Sequence, residues 1–108
     1  MLKDDENYAQ NEVPHYFKTV YIPDDKFLLV GGLERELNST SSRCFMIDDK
    51  GKLTPTMDLN IGRQYCAVAP DYANDAIYVI GGYNDELGVL GSFESFSIGA
   101  RTWDLKDD

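Results

Sequence analysis

The fold of this chain is decided by a short stretch that occurs twice. Residues 77–82 read IYVIGG and residues 27–32 read FLLVGG, and equivalent residues of the two copies are 50 positions apart. Counting 22 positions from the first glycine of each pair gives Trp103 in the second copy and Leu53 in the first. Self-similarity with a period of about 20–50 residues is typical of repeat proteins, in which each repeat folds as one supersecondary unit. We therefore expect two copies of one structural unit.

Each copy is predicted to form a four-stranded antiparallel sheet. Short apolar or alternating segments are separated by clusters of Gly, Pro, Asp and Asn, which favour turns. Each glycine pair is predicted to end its strand and to be followed by a polar loop. In the first copy this loop spans residues 33–42. No segment has a helical period, so the sequence predicts an all-β protein. The predicted strands are 16–22, 27–30, 43–47, 52–54, 64–69, 76–80, 92–97 and 102–105.

The last two strands of each copy are predicted to form a hairpin with a four-residue turn, which is 48–51 in the first copy. This register places Phe96 opposite Trp103 and Met46 opposite Leu53. Such cross-strand apolar pairs stabilise a sheet by roughly 0.2–1 kcal/mol each.

The second copy resembles the kelch repeat. It has an apolar strand, a glycine pair, a variable polar loop, an aromatic residue seven positions before a Trp, and a preceding linker that ends in Arg. Phe96 stands in the usual Tyr position of that family, Trp103 in its Trp position and Arg63 in its linker position. The resemblance covers about residues 15–105.

The first copy departs from the kelch pattern. Leu53 stands where the family prefers Trp, and Met46 stands where it prefers Tyr. Residues 14–15 (Pro-His) occupy the place of residues 62–63 (Gly-Arg), so the first copy has no linker arginine.

The resemblance implies an incomplete kelch-type β-propeller made of two four-stranded antiparallel blades. Residues 14–56 would form the first blade and residues 57–108 the second, after a polar lead-in at residues 1–13. A propeller takes about 4–8 blades to close. We therefore expect either a fragment of a longer kelch protein, which we favour, or a chain that self-associates through open blade edges.

The resemblance also implies structural roles for the motif residues. Glycine adopts positive φ angles without strain and allows two backbones to approach closely. The Trp and its aromatic partner would wedge between adjacent blades. The residues expected to hold the blades together are Gly31, Gly32, Gly81, Gly82, Phe96, Trp103 and Arg63.

Partners of kelch propellers usually dock on the loops at one mouth of the ring, because loops escape the packing constraints of the sheets. The loops after the two glycine pairs are therefore the candidate binding surface. Tyr83 and Arg35 belong to residue types enriched in interface hot spots. The alternative is that these are solvated loop residues without a partner. The candidate residues are Glu34, Arg35, Asn38, Tyr83, Asn84, Asp85 and Glu86.

The functional hypothesis is a protein–protein interaction module without a cofactor. The alternative is a piece of a kelch-type enzyme, an oxidase or a sugar epimerase, whose catalytic residues lie outside this chain. His15 is the only histidine, and neither a nucleophile elbow nor a phosphate-binding glycine loop occurs. We therefore predict no catalytic residue and no metal site.

The net charge restricts the class of partner, and targeting signals indicate the cellular compartment. The chain has 19 acidic and 10 basic side chains, and a net charge of −9 repels nucleic acids and anionic membranes. Neither a signal-type apolar segment nor a membrane-length apolar run occurs, so we expect a cytoplasmic protein. Cys44 and Cys66 lack metal-type spacing and are expected to be reduced and buried or half-buried.

Overall fold

The computed structural model describes residues 13–34 and 36–106, and these residues form an all-β protein. Within these ranges, two four-stranded antiparallel sheets and one two-stranded ribbon account for the strands, and the one helical segment is a 3-10 turn at Tyr72–Asn74. The predicted all-β class and the two four-stranded sheets are confirmed. The predicted lead-in at residues 1–13 lies outside the described residues except for Val13.

The two large sheets are formed by consecutive parts of the chain. Sheet 1 has the strand order β1-β2-β3-β4, and sheet 2 has the order β10-β9-β6-β5. The strands of sheet 1 are β1 (Lys18–Ile22), β2 (Lys26–Glu34), β3 (Ser39–Ile47) and β4 (Leu53–Thr56). Those of sheet 2 are β5 (Ala67–Asp71), β6 (Ala76–Ile80), β9 (Phe93–Ser97) and β10 (Thr102–Lys106), and the ribbon pairs β7 (Tyr83–Asn84) with β8 (Gly88–Val89).

The prediction that the first glycine pair ends its strand is wrong, because the pair lies inside that strand. The ladder between β2 and β3 is irregular between Val30 and Gly32 and then continues to Glu34. The pair therefore acts as a bulge, which bends a strand without terminating it. Because the ladder continues, most of the predicted loop at 33–42 is strand.

Two further strand predictions need correction. The first strand of each copy begins later than predicted, because Tyr16 (φ 60°) and Tyr65 (φ 59°) adopt left-handed conformations that interrupt an extended chain. The ribbon formed by β7 and β8 lies in a segment predicted to be loop, and strands of two residues leave no periodic pattern in a sequence.

The hairpin register was predicted correctly in the second copy and wrongly in the first. Phe96 lies opposite Trp103, with 4.8 Å between the ring centroids. In the first copy Leu53 lies opposite Ile47 and not opposite Met46. The reason is a tighter turn, in which Gly51 (φ 84°) donates to the carbonyl of Asp48.

Ile47 and Leu53 are therefore the structural counterparts of Phe96 and Trp103. Ile47 lies 16 positions after Gly31, whereas Phe96 lies 15 positions after Gly81. The extra residue before the hairpin compensates for the shorter turn within it. The spacing between glycine and Leu53 or Trp103 is conserved between the copies for this reason.

One hydrophobic core lies between the two sheets. Sheet 1 contributes Val20, Ile22, Leu28, Val30, Cys44 and Met46, and sheet 2 contributes Ile77, Val79, Phe96 and Trp103, with Leu59 and Cys66 completing the cluster. The dozen buried side chains make this the main source of stability, since burying apolar surface contributes about 25 cal/mol per Å².

The two sheets present opposite faces to this core. Leu28 lies three positions before Gly31 and is fully buried in the core, but its counterpart Tyr78 lies on the other face of sheet 2. Conversely, Ile77 is fully buried, whereas its counterpart Phe27 is exposed on the outer face of sheet 1. The sheets are therefore stacked head to tail and are not related by a two-fold axis.

Equivalent glycines contact equivalent backbone atoms in the two copies. Gly32 (φ 109°) and Gly82 (φ 100°) lie against the carbonyl oxygens of His15 and Gln64 respectively, where a side chain would collide. His15 is thus the counterpart of Gln64, and Pro14 is the counterpart of Arg63. This alignment is shifted by one residue from the predicted pairing of 14–15 with 62–63.

Candidate interaction surface

The two loops predicted to bind a partner are joined to each other. We call residues 36–40, at the turn between β2 and β3, the first tip, and residues 83–89, which contain β7 and β8, the second tip. The backbone N–H of Thr40 donates to the Asp85 carboxylate at 3.1 Å, and the Asp85 N–H donates to the Thr40 hydroxyl at 2.9 Å. These reciprocal bonds make one continuous surface of the two tips.

Gln64 anchors the second tip to the rest of the molecule. Its buried side chain donates to the Thr40 hydroxyl at 2.9 Å, and its backbone exchanges hydrogen bonds with Tyr83 at 2.8 and 2.9 Å. One residue therefore holds both tips, because it contacts Thr40 in the first and Tyr83 in the second.

Asn84 shapes the turn of the second tip. Its side-chain oxygen accepts the backbone N–H groups of Glu86 and Leu87 at 2.8 and 3.0 Å, and its amide donates to the carbonyl of Gly62 at 2.9 Å. Such a bond from Asn to the following backbone mimics a backbone turn. The conformation of the second tip is consequently set by its own hydrogen bonds.

The electrostatics of the tips follow from the same contacts. The hydrogen bonds from Thr40 stabilise the charged form of Asp85 and lower the pKa of its carboxyl group. Asp85 remains exposed to solvent, so the second tip carries a fixed negative charge at neutral pH.

Glu34 is engaged within the molecule. Arg43 donates to its carboxylate through Nε at 2.6 Å and Nη2 at 2.8 Å, and the Ser41 hydroxyl donates at 2.6 Å. Partial burial disfavours the charged carboxylate, but the bonds from Arg43 and Ser41 outweigh that effect and lower the pKa of Glu34. The Arg43 guanidinium also lies over the ring of Phe45, 5.1 Å from its centroid.

The other candidate residues are accessible where the structure describes them. Asn38 (φ 53°) is exposed in the first tip, and Tyr83 and Glu86 are exposed in the second. Arg35 lies outside the described residues. Of the residues proposed from sequence, Asn38, Tyr83, Asp85 and Glu86 thus share one accessible surface, whereas Glu34 and Asn84 are half-buried and their side chains hydrogen-bond within the molecule.

Sequence reasoning missed three aliphatic residues at the tips. Leu37, Leu87 and Val89 are 76%, 62% and 87% exposed, and Val89 lies opposite Tyr83 in the ribbon. The signal was available, because an isolated aliphatic residue in a polar loop has no periodic pattern that would bury it. Hot-spot composition favours Tyr and Arg over Leu and Val, and the candidate anchors were chosen on that basis.

The linker before sheet 2 is tied to it by a buried arginine. Arg63 is completely buried and donates to the Gly81 carbonyl at 3.1 Å, to the Ser92 carbonyl and hydroxyl at 3.0 Å, and to the Glu94 carboxylate at 3.3 Å. The guanidinium thus joins the second glycine pair to β9.

Glu94 and Trp103 hold the same linker from the side of the sheet. Glu94, also fully buried, accepts the backbone N–H groups of Asn60 at 2.8 Å and Ile61 at 2.9 Å. The Trp103 indole N–H donates to the Met57 carbonyl at 3.1 Å. These contacts fix the chain between the sheets.

Both cysteines are free and buried, as expected. Burial raises the pKa of the Cys44 thiol to about 12 and also raises the pKa of Cys66. Among residues 13–34 and 36–106, no group of three or more His, Cys, Asp or Glu side chains is placed to hold a metal ion. Within the same ranges, no helix has the length and apolar character needed to cross a bilayer.

No family model matches the chain, and no curated protein matches it.

Proposed function

We propose that this chain is a protein–protein interaction module, part of a kelch-type β-propeller, which presents its two joined tips to a partner protein. It acts by binding, without a catalytic group or a cofactor of its own, and it works in the cytoplasm. The partner contacts the first and second tips together.

The kelch-type part of the proposal is supported by how the two copies are arranged. Equivalent glycines have similar positive φ angles, and the sheets stack head to tail, as the blades of a propeller do. Phe96 and Trp103 of the second copy pack in the core between the sheets. The buried Arg63 occupies the family's linker position.

The observation that carries the binding function is the exposure of Leu37, Leu87 and Val89 on tips of defined shape. Moving aliphatic side chains out of water is favourable, by about 25 cal/mol per Å² of apolar surface. The hydrogen bonds of Thr40 and Asn84 already order these tips, so little further conformational entropy is lost on binding. Exposed apolar groups on an ordered loop are suited to recognition.

The charge around these residues indicates the chemistry of the partner. Glu36, Asp85 and Glu86 are exposed beside the aliphatic residues, and the whole chain carries a net charge of −9. A complementary partner surface has an apolar pocket for the aliphatic side chains and basic residues at its rim. Association should therefore weaken as the salt concentration rises.

The test compares proteins captured by wild type and by a Leu37→Ser/Leu87→Ser variant, quantified by mass spectrometry. We expect a defined set of partners to be lost from the variant while its far-UV circular dichroism stays unchanged. Met57→Ser, which removes an exposed apolar side chain outside the tips, is the matched control and should retain the set. Equal capture by wild type and the tip variant would exclude the tips as the binding surface.

A further inference from the structure

The outer face of sheet 1 carries a row of apolar side chains that crosses all four strands. We call it the leading face. This row pairs Tyr21 with Phe27, Phe27 with Ile47, and Ile47 with Leu53. Tyr21 and Phe27 are 42% and 46% exposed, and Ile47 and Leu53 are half-buried. A face of this composition is typical of a surface that another protein element covers.

The corresponding row of sheet 2 shows what such a face is used for. Pro70, Ile77, Phe96 and Trp103 occupy the equivalent positions, and the last three are buried against sheet 1. The leading face of sheet 1 therefore corresponds to the face of sheet 2 that packs in the core between the sheets.

We call the outer face of sheet 2 the trailing face. It corresponds to the face of sheet 1 that packs against sheet 2 in the core. Ile80 is 45% exposed, and Tyr78 and Phe93 are half-buried, with 6.2 Å between their ring centroids. Tyr78 and Ile80 occupy the positions of Leu28 and Val30, which sheet 1 buries against sheet 2. The trailing face is smaller and more polar than its counterpart, since Ser95 stands in it opposite Tyr78.

We propose that this chain associates head to tail with a second copy of itself, the trailing face of one copy packing on the leading face of the next. The contact continues the interface already present between sheets 1 and 2. One chain carries both halves of this contact on opposite sides, so a second copy is a sufficient occupant for either face. Such a heterologous contact closes into a ring or extends into an open array. This surface is separate from the two tips.

The first experiment measures the mass of the full chain by size-exclusion chromatography with light scattering over a range of concentrations. We expect either a discrete oligomer or a concentration-dependent open array. A wild-type chain that remains monomeric throughout would overturn the proposal.

The second experiment separates head-to-tail packing from a symmetric dimer. Phe27→Glu blocks the leading face, and Ile80→Glu blocks the trailing face. Each variant alone should associate about 100-fold more weakly than wild type, because a carboxylate would be buried without a partner. An equimolar mixture should form a one-to-one heterodimer, since each variant retains the face that the other lacks.

Several outcomes would contradict the inference. If the mixture stays monomeric, or if one of the two variants assembles as wild type does, the contact is not head to tail. Both variants must first show the circular dichroism of wild type, and Tyr21→Glu or Tyr78→Glu replaces one that does not. Leu87→Glu, on the second tip, is the control and should leave assembly unchanged.

Discussion

Arg63 and Glu94 form an ion pair in which both side chains are completely buried, with 3.3 Å between Nη2 and Oε2. Each partner is also bound by backbone groups, since Arg63 donates to the carbonyls of Gly81 and Ser92. A buried pair of this kind contributes little stability over an apolar pair of the same size, but removing one partner leaves a charge without compensation. Its role is to fix the linker on sheet 2.

Glu94→Ala should therefore lower the free energy of unfolding by about 3–5 kcal/mol. The substitution leaves the Arg63 charge buried and also deprives the N–H groups of Asn60 and Ile61 of their acceptor. Urea denaturation monitored by Trp103 fluorescence measures the change. Glu86→Ala removes an exposed carboxylate and should stay within about 0.5 kcal/mol of wild type. A similar midpoint for the two variants would refute the structural role of the pair.

Gly82→Ala should lower the melting temperature markedly. A Cβ atom there would lie 2.6 Å from the Gln64 carbonyl oxygen, and the φ angle of 100° is strained for any side chain. Strain of this kind costs about 1–3 kcal/mol before the collision is counted. Gly91→Ala is the matched control, because its Cβ would meet nothing within 4 Å. Equal melting temperatures by differential scanning calorimetry would contradict the prediction.

The contact between Thr40 and Asp85 should be lost at acidic pH. The folded-state pKa of Asp85 is depressed below its ordinary value of 3.8, so its contribution is present above pH 3.8 and disappears as the pH falls through the folded pKa. In NMR titrations the Thr40 amide resonance should shift with a midpoint below 3.8, and Asp85→Asn should abolish that transition. A midpoint above 3.8 would show that Thr40 does not stabilise the carboxylate.

Both thiols should resist alkylation in the folded protein. Burial raises the pKa of Cys44 to about 12 and raises that of Cys66 as well, and only the thiolate is nucleophilic. At pH 8, iodoacetamide should modify neither residue in the native state and both in denaturant, as read by peptide mass spectrometry. Rapid native labelling of Cys44 would mean that the core between the sheets opens readily.

Much of the fold was predictable where the signals were local. Strand β6 was predicted with its observed bounds, Ala76–Ile80, because apolar β-formers are flanked there by Asp75 and a glycine pair. The register of Phe96 and Trp103 followed from a turn of four residues. In the first copy the same reasoning placed Leu53 opposite Met46, since the sequence does not show that Gly51 makes the turn one residue shorter.

The candidate site was predictable only in outline. The loops that follow the glycine pairs were identified from the repeat, but the side chains of Glu34 and Asn84 proved to bond within the molecule. Leu37 and Leu87 were overlooked, because hot-spot composition favours Tyr and Arg over aliphatic residues. The bond between Thr40 and Asp85 spans 45 positions, and nothing in either loop indicates it.

Short stretches of the sequence determine the repeat period, the all-β class and the cross-strand pair of the second hairpin. They do so because alternation and turn chemistry act between neighbouring residues. Only the tertiary structure determines three other features. They are the faces that the two sheets present to each other, the burial of Arg63 with Glu94, and the hydrogen bonds that join the two tips. Each of these depends on contacts between segments distant along the chain. Packing selects among them by burying apolar area and satisfying buried polar groups over the whole molecule.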